Sequence, residues 1–78
     1  MDIKKVINDI RNILNKFKEI PDRDEEDNMY IAIIEDKLDS FDNTRKQIEY
    51  LKNNDLKKEL YQELVELKSD LIDVQKNL

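Results

Sequence analysis

The sequence predicts an all-α fold, an antiparallel up-down-up three-helix bundle with a protruding helix 2/helix 3 hairpin. Three observations predict it. Apolar residues recur every three or four positions along three segments, a proline and an asparagine pair separate these segments, and no segment alternates apolar and polar residues as a strand does. The chain has 78 residues, so residues 1–78 are expected to form a single helical-bundle domain.

The first helix is predicted from about residue 2 to residue 20. Its apolar stripe is broad, which is typical of a helix that packs against two neighbours. Pro21 ends the helix, because proline lacks an amide donor and disfavours helical geometry in the residue before it. The stripe consists of Ile3, Val6, Ile10, Ile13, Phe17 and Ile20, with Ile7 and Leu14 beside it.

The second helix is predicted over about residues 23–52, with Asp22 and Glu25 as its capping residues. Its main stripe is joined by Met29, Tyr30 and Ile33, so apolar side chains nearly surround this stretch. We therefore expect this stretch to be the most buried part of the fold. The main stripe consists of Ile31, Ile34, Leu38 and Phe41.

Weak helix formers cluster between Asp39 and Thr44, where the apolar stripe also shifts. The second helix is therefore either continuous through Ser40 or broken there. A break would let the distal piece fold back into a compact four-helix bundle.

The third helix is predicted over about residues 55–77, after a turn at Asn53 and Asn54. Asparagine tolerates the left-handed conformation that such a turn needs, and Asp55 is expected to cap the helix. The stripe of this helix consists of Leu60, Leu64, Leu67, Leu71, Val74 and Leu78, flanked by Leu56, Tyr61, Val65 and Ile72.

The predicted helices differ in length, roughly 27 Å for the first and roughly 42 Å for an unbroken second. With two tight turns, Ile3 would lie level with Phe41, and residues 43–64 would extend past the first helix. Two helices alone cannot bury such a stripe, so this surface should bind a partner unless its apolar residues are tolerated singly. The predicted partner-binding residues are Ile48, Tyr50, Leu51, Leu56, Leu60 and Tyr61.

Charge is unevenly distributed along the chain, whose net charge is -5. Residues 1–20 carry five basic and three acidic side chains, residues 21–42 carry two and nine, and residues 43–78 carry seven of each. The acidic stretch is either a solvated face or a docking surface for a basic partner. The candidate surface consists of Asp22, Asp24, Glu25, Glu26, Asp27, Glu35, Asp39 and Asp42.

The amino-acid composition argues against enzymatic, metal-binding and phosphate-binding functions. The chain has no histidine, cysteine or glycine, so it lacks the usual zinc ligands, the usual general base and any phosphate-binding loop. We therefore expect no catalytic residues, no metal and no cofactor.

The longest apolar run, residues 30–34, is too short for a membrane span, and the negative charge repels nucleic acid and anionic lipid.

The segment Leu38-Asp39-Ser40-Phe41 resembles the attachment site of acyl and D-alanyl carrier proteins. In that family a serine at the start of a helix accepts a phosphopantetheine arm. The resemblance covers four residues and implies that Ser40 would be the modified residue.

The sequence thus predicts a small acidic, non-enzymatic protein-protein interaction module of the cytoplasm, acting as an adaptor, a chaperone-like partner or an inhibitor of a larger protein. It would bind through the apolar surface of the distal hairpin and would also self-associate as a homodimer, with no direct contact to nucleic acid or membrane. Leu51→Asp or Leu60→Asp is expected to weaken association while helicity persists. The alternatives are a carrier-like protein modified on Ser40 and an acidic inhibitor that mimics nucleic acid.

Overall fold

The computed structural model of the chain describes residues 2–77, which form three α-helices and no strand. They are α1 (Ile3–Lys18), α2 (Glu25–Leu51) and α3 (Asn54–Lys76). Each helix begins and ends within two residues of its predicted bounds, and every pair of helices is in contact. The all-α three-helix bundle is therefore confirmed.

The bundle is long and narrow. The Cα positions span 44 × 20 × 15 Å, with a radius of gyration of 13.6 Å. A compact domain of this length would have a radius of gyration of about 11.5 Å. Within residues 2–77, no helix contains an apolar stretch long enough to cross a bilayer.

The connection between α1 and α2 corrects the predicted cap. Asp22 has a φ of 64°, so it forms a left-handed turn and does not cap α2. The cap is Asp24, whose carboxylate accepts a hydrogen bond from the amide of Asp27 at 2.8 Å, while the Asp27 carboxylate accepts one from the amide of Asp24 at 3.4 Å. The two residues form a capping box and satisfy amides that the helix leaves unpaired.

Arg23 holds this connection against the end of α1. Its guanidinium donates hydrogen bonds to the carbonyl oxygens of Phe17 and Lys18, the former at 3.3 Å, and to Asn28 Oδ1 at 3.0 Å. A cation is favourable at this position, because the last carbonyls of a helix lack intrahelical partners.

The α2 helix is continuous through Ser40, so the predicted alternative of a break is wrong. Arg45 supports the weak stretch from its C-terminal side. Its guanidinium donates to Asp42 Oδ1 at 2.9 Å and to Glu49 Oε2 at 3.0 Å, and its side chain is largely buried. Pairs three and four residues apart stabilise a helix, so this cluster offsets the poor propensity of the residues before it.

Asp42→Asn should lower the free energy of unfolding by about 0.5 kcal/mol near neutral pH. The hydrogen bond from Arg45 lowers the pKa of Asp42 below its ordinary value of 3.8. A lowered pKa in the folded state means that the stabilisation is complete above the ordinary value and is lost as pH falls through the lowered value. Urea unfolding at a series of pH values from about 7 downwards measures this, and the difference between the two proteins should shrink as the pH falls below the ordinary pKa of the carboxyl.

Asp39→Asn is the matched control. The Asp39 side chain is 69% exposed and lies 3.4 Å from Arg11, so its removal should change stability little at any pH. Equal losses for both variants would mean that the Arg45 cluster contributes no more than an ordinary surface pair.

The turn between α2 and α3 also differs in detail from the prediction. The left-handed residue is Lys52, with a φ of 55°, and the cap of α3 is Asn53 instead of Asp55. The amides of Asn53 and Lys52 donate to the carbonyls of Ile48 and Glu49 in a Schellman arrangement. Asn53 Oδ1 then accepts from the amide of Leu56 at 3.1 Å. Because Asn53 is needed as the cap, the left-handed position falls one residue earlier.

The core is a single apolar cluster that runs between the three helices. Half of its buried residues come from α1, which is the shortest helix and is buried along its whole apolar face. The buried residues are Ile3, Val6, Ile7, Ile10, Ile13, Leu14, Phe17, Ile31, Ile34, Leu38, Ile48, Leu60, Leu64 and Leu71.

The predicted register of α1 is wrong. Ile3 borders a surface depression together with Arg45, Glu49 and Lys57, so α1 begins about six residues of α2, or about 9 Å, beyond the predicted level of Phe41. The reason is that residues 19–24 form a wide connection instead of a tight turn. Consequently α1 covers Ile48, Leu60 and Leu64, which are buried, and the hairpin extends past α1 only near its turn.

The prediction that the first turns of α2 are the most buried part of the fold is also wrong. Met29 is 64% exposed and Ile33 is 51% exposed. Lys18, the last residue of α1, lies level with Glu35, to which its ammonium is paired at 2.9 Å. At the end of α1, Phe17 lies beside Ile31, which is buried, whereas Met29 and Ile33 lie on the opposite side of α2, away from α1.

Candidate functional site, an open groove between α2 and α3

A groove separates α2 from α3 on the face of the hairpin away from α1. Its main part has a volume of about 630 Å³, and none of its lining residues belongs to α1. The α2 side is formed by Ile33, Asp36, Lys37, Ser40 and Phe41, and the α3 side by Glu63, Glu66, Leu67 and Asp70. We call this surface, with its extension described next, the α2/α3 groove.

The groove continues towards the turn of the hairpin. A second depression of about 200 Å³ shares Phe41 and Glu63 with the main part, so the two are continuous. Its remaining lining residues are Thr44 and Ile48 on α2, and Leu56, Glu59 and Leu60 on α3.

Apolar side chains form the floor of the groove and extend beyond both ends. Phe41 and Leu67 are half-buried and pack on the core. On α2, Met29 lies one turn before Ile33, and Leu51 lies on the same side of the helix at the other end. The distance from Met29 to Leu51 is about 33 Å along the helix, or about six turns. The lining itself runs from Ile33 to Ile48, about 22 Å along α2, so a helix of about 15 residues can lie along the groove.

Carboxylates dominate the rims of the groove. Asp36 lies on the α2 side, and Glu63, Glu66 and Asp70 lie on the α3 side. Among residues 2–77, none of these four carboxylates has a basic partner within 4.0 Å. The one basic residue of the lining is Lys37.

The two sides of α3 carry opposite charge. Lys68 lies on the side that faces α1, where its ammonium is 3.0 Å from Asp9, and Lys57 borders the depression beside Ile3. The acidic residues of the groove side are spaced four, three and four positions apart, which places them on one face of the helix: Glu59, Glu63, Glu66 and Asp70. Although residues 43–78 carry no net charge, α3 therefore presents a strongly acidic face.

Only part of the predicted partner-binding set is exposed. Tyr50 and Leu51 are 87% and 66% exposed near the hairpin turn, and Leu56 is partly exposed in the groove. Ile48 and Leu60 are buried at the bottom of the groove, which corrects the prediction that they face solvent. Tyr61 does not line the groove and packs half-buried against the core.

The predicted acidic docking surface is largely occupied by contacts within the chain. Glu35, Asp39 and Asp42 are paired with Lys18, Arg11 and Arg45. The acidic residues before them belong to the connection and to the first turn of α2: Asp22, Asp24, Glu25, Glu26 and Asp27. Of these, Asp24 and Asp27 form the capping box. Among residues 2–77, Asp22, Glu25 and Glu26 have no basic partner within 4.0 Å, and neither do the carboxylates of the α2/α3 groove.

Ser40 is an exposed residue in the middle of α2, on the rim of the groove. The carrier resemblance implies a serine at the start of a helix, and the continuous α2 does not provide that position. Among residues 2–77, no three acidic side chains lie close enough together to hold a metal ion.

The sequence contained a signal for the groove that periodicity alone did not reveal. The spacing of the acidic residues on α3 and of Met29 and Ile33 on α2 is visible in the sequence. Counting charge over residues 43–78 concealed the acidic face, because basic residues of α2, of the turn and of the other sides of α3 bring the total to zero. Nothing in the sequence indicates which face α1 leaves open.

In comparisons with known proteins, the chain matches no protein-family model, no curated protein and no solved structure.

Proposed function

We propose that this chain is a non-enzymatic protein-interaction module of the cytoplasm that binds a helix of a larger partner protein in its α2/α3 groove. The bound helix would be the fourth member of the bundle. This is the general mode in which an amphipathic helix lays its apolar face into a hydrophobic groove.

The observation that carries the proposal is the open face of the α2–α3 hairpin. One face of the hairpin is covered by α1, whereas the other keeps an apolar floor of Ile33, Phe41 and Leu67 in contact with solvent. Exposed apolar surface rimmed by polar residues is typical of a binding surface. The lining runs about 22 Å along α2, which matches a helix of about 15 residues.

A neutral amphipathic peptide tests this proposal. The probe is a designed helix of about 20 residues with an apolar stripe at heptad spacing and glutamine on both flanks. Titration into the ¹⁵N-labelled protein should shift the amide signals of groove residues such as Ser40 and Glu66. Ile33→Asp should lower the affinity for the peptide at least about tenfold, because peptide binding would desolvate a carboxylate on the floor that has no partner.

Val65→Asp is the matched control, since Val65 is also a partly exposed apolar residue but does not line the groove. This variant should bind the peptide as the wild type does. An equal loss of peptide affinity in both variants would contradict the proposal. Amide signal shifts that spread evenly over the protein surface would also contradict it.

Self-association through the hairpin turn is a second candidate, favoured by the exposure of Tyr50 and Leu51. Sedimentation equilibrium over a range of concentrations tests it. A dimer that Leu51→Asp dissociates and Ile33→Asp preserves would support association through the turn, with the groove still free for another protein. A monomer at every concentration would contradict it.

A further inference from the structure

We infer that the helix received by the α2/α3 groove is a basic one, with its lysine or arginine side chains concentrated on the flank that faces α3. The inference rests on the proposed function, because it specifies the partner of the same site. It follows from the charges of the two rims and from the way in which α1 packs on the opposite face.

The rims of the groove differ in charge. The α3 rim carries Glu59, Glu63, Glu66 and Asp70 and no basic residue. On the α2 rim, Asp36 is adjacent to Lys37, and the remaining polar residues, Ser40 and Thr44, are neutral. A bound helix therefore meets negative charge on one flank and nearly balanced charge on the other. Complementary charge favours a basic flank on the α3 side.

The packing of α1 shows that the hairpin already accepts a helix of this kind. On the other side of α2, Arg11 and Lys18 of α1 flank its buried apolar face and lie 3.4 Å and 2.9 Å from Asp39 and Glu35. Residues 1–20, which include α1, carry five basic and three acidic side chains. The open groove offers a similar combination, an apolar floor with one acidic rim, and no helix of the chain covers it.

A second copy of the chain is a poor occupant. Two grooves facing each other would bring two acidic α3 rims together, with only one lysine, Lys37, from each copy to oppose them, which is repulsive at low ionic strength. The basic helix of a second copy, α1, has its apolar face buried in its own core. The partner is therefore a different protein that supplies both the apolar stripe and the basic flank.

Three peptides with one apolar stripe test the inference. They carry glutamine on both flanks, lysine on one flank, or glutamate on one flank, and their affinities are measured by isothermal titration calorimetry. The lysine peptide should bind at least about tenfold more tightly than the glutamine peptide at low salt. This gain should largely vanish in about 1 M salt, where charges are screened within about 3 Å. The glutamate peptide should bind most weakly.

Three single charge reversals locate the basic flank, since each changes the net charge equally. Glu66→Lys on the α3 rim should lower the affinity for the lysine peptide about fivefold or more. Asp36→Lys on the α2 rim and Glu19→Lys, outside the groove, should each change its affinity less than about twofold. Equal effects of all three would overturn the assignment of the flank.

Failure of this inference differs from failure of the proposed function. If the glutamine peptide binds in the groove and lysine adds no affinity, the basic flank is wrong while the helix-binding function stands. If no peptide binds, both are wrong. A dimer of the free protein that Ile33→Asp dissociates would show that a second copy occupies the groove, which also overturns the inference.

Discussion

Leu60→Asp should unfold this protein, whereas Leu51→Asp should leave it folded. Leu60 is 4% exposed and lies among the helices, so the substitution removes a buried leucine and places a carboxylate in the core. The lost burial alone costs about 2–5 kcal/mol, and an unpaired buried charge costs several more. The whole stability expected for 78 residues is about 4–12 kcal/mol. The far-ultraviolet circular dichroism of the variant should therefore show little helix.

Leu51→Asp is the control, because Leu51 is 66% exposed beside the hairpin turn. Its helicity and its urea midpoint should match those of the wild type. The pair also tests the register of α1. If the hairpin extended past α1 from residue 43, as the lengths of the helices suggested, both leucines would face solvent and both variants would remain helical.

Phe17→Ala should have the second largest effect, lowering the free energy of unfolding by about 3–5 kcal/mol. Phe17 is 5% exposed and lies at the end of α1. Beside it is a small cavity of about 60 Å³ between the connection, α2 and α3, lined also by Ile31 and Val74. The variant enlarges a space that already exists, so neighbouring side chains cannot fill it without opening this end of the core. Urea unfolding measures the loss.

Ile20→Ala is the matched control, because Ile20 lines the same cavity but is 36% exposed. This variant should lower the free energy of unfolding by less than about 1 kcal/mol. Benzene should partly restore the stability of Phe17→Ala and leave Ile20→Ala unchanged, since apolar cavities of sufficient size bind apolar ligands. Similar losses for both variants would show that this end of the bundle is loosely packed.

The helices could be predicted from the sequence because local physics specifies them. A stripe at helical spacing, a proline between residues 19 and 24, and short polar side chains at the helix starts all act within a few residues. The exact caps were harder to predict. Asp22 and Asp24 are chemically equivalent, and so are Asn53 and Asp55 as capping side chains. Which member of each pair caps the helix depends on the path of the connection.

The continuity of α2 and the choice of exposed residues depended on longer-range geometry. The stretch from Asp39 to Thr44 has weak helix propensity, and the Arg45 cluster keeps it helical together with packing against the core. Ile48 and Met29 are both apolar residues of α2, yet one is buried and the other is exposed. The difference is the face of α2 on which each residue lies, because Met29 is on the side away from α1 and local sequence pattern does not indicate which side α1 covers.

The sequence therefore specified three amphipathic helices, their order and their approximate ends, because helix formation follows from the spacing and type of neighbouring residues. The tertiary structure decided where along the hairpin α1 lies and which face of α2 and α3 remains open. That choice depends on the six-residue connection closed by Arg23 and on packing between residues far apart in the chain. The acidic face of α3 was encoded in the sequence, but it became the rim of a groove only when α1 covered the opposite side.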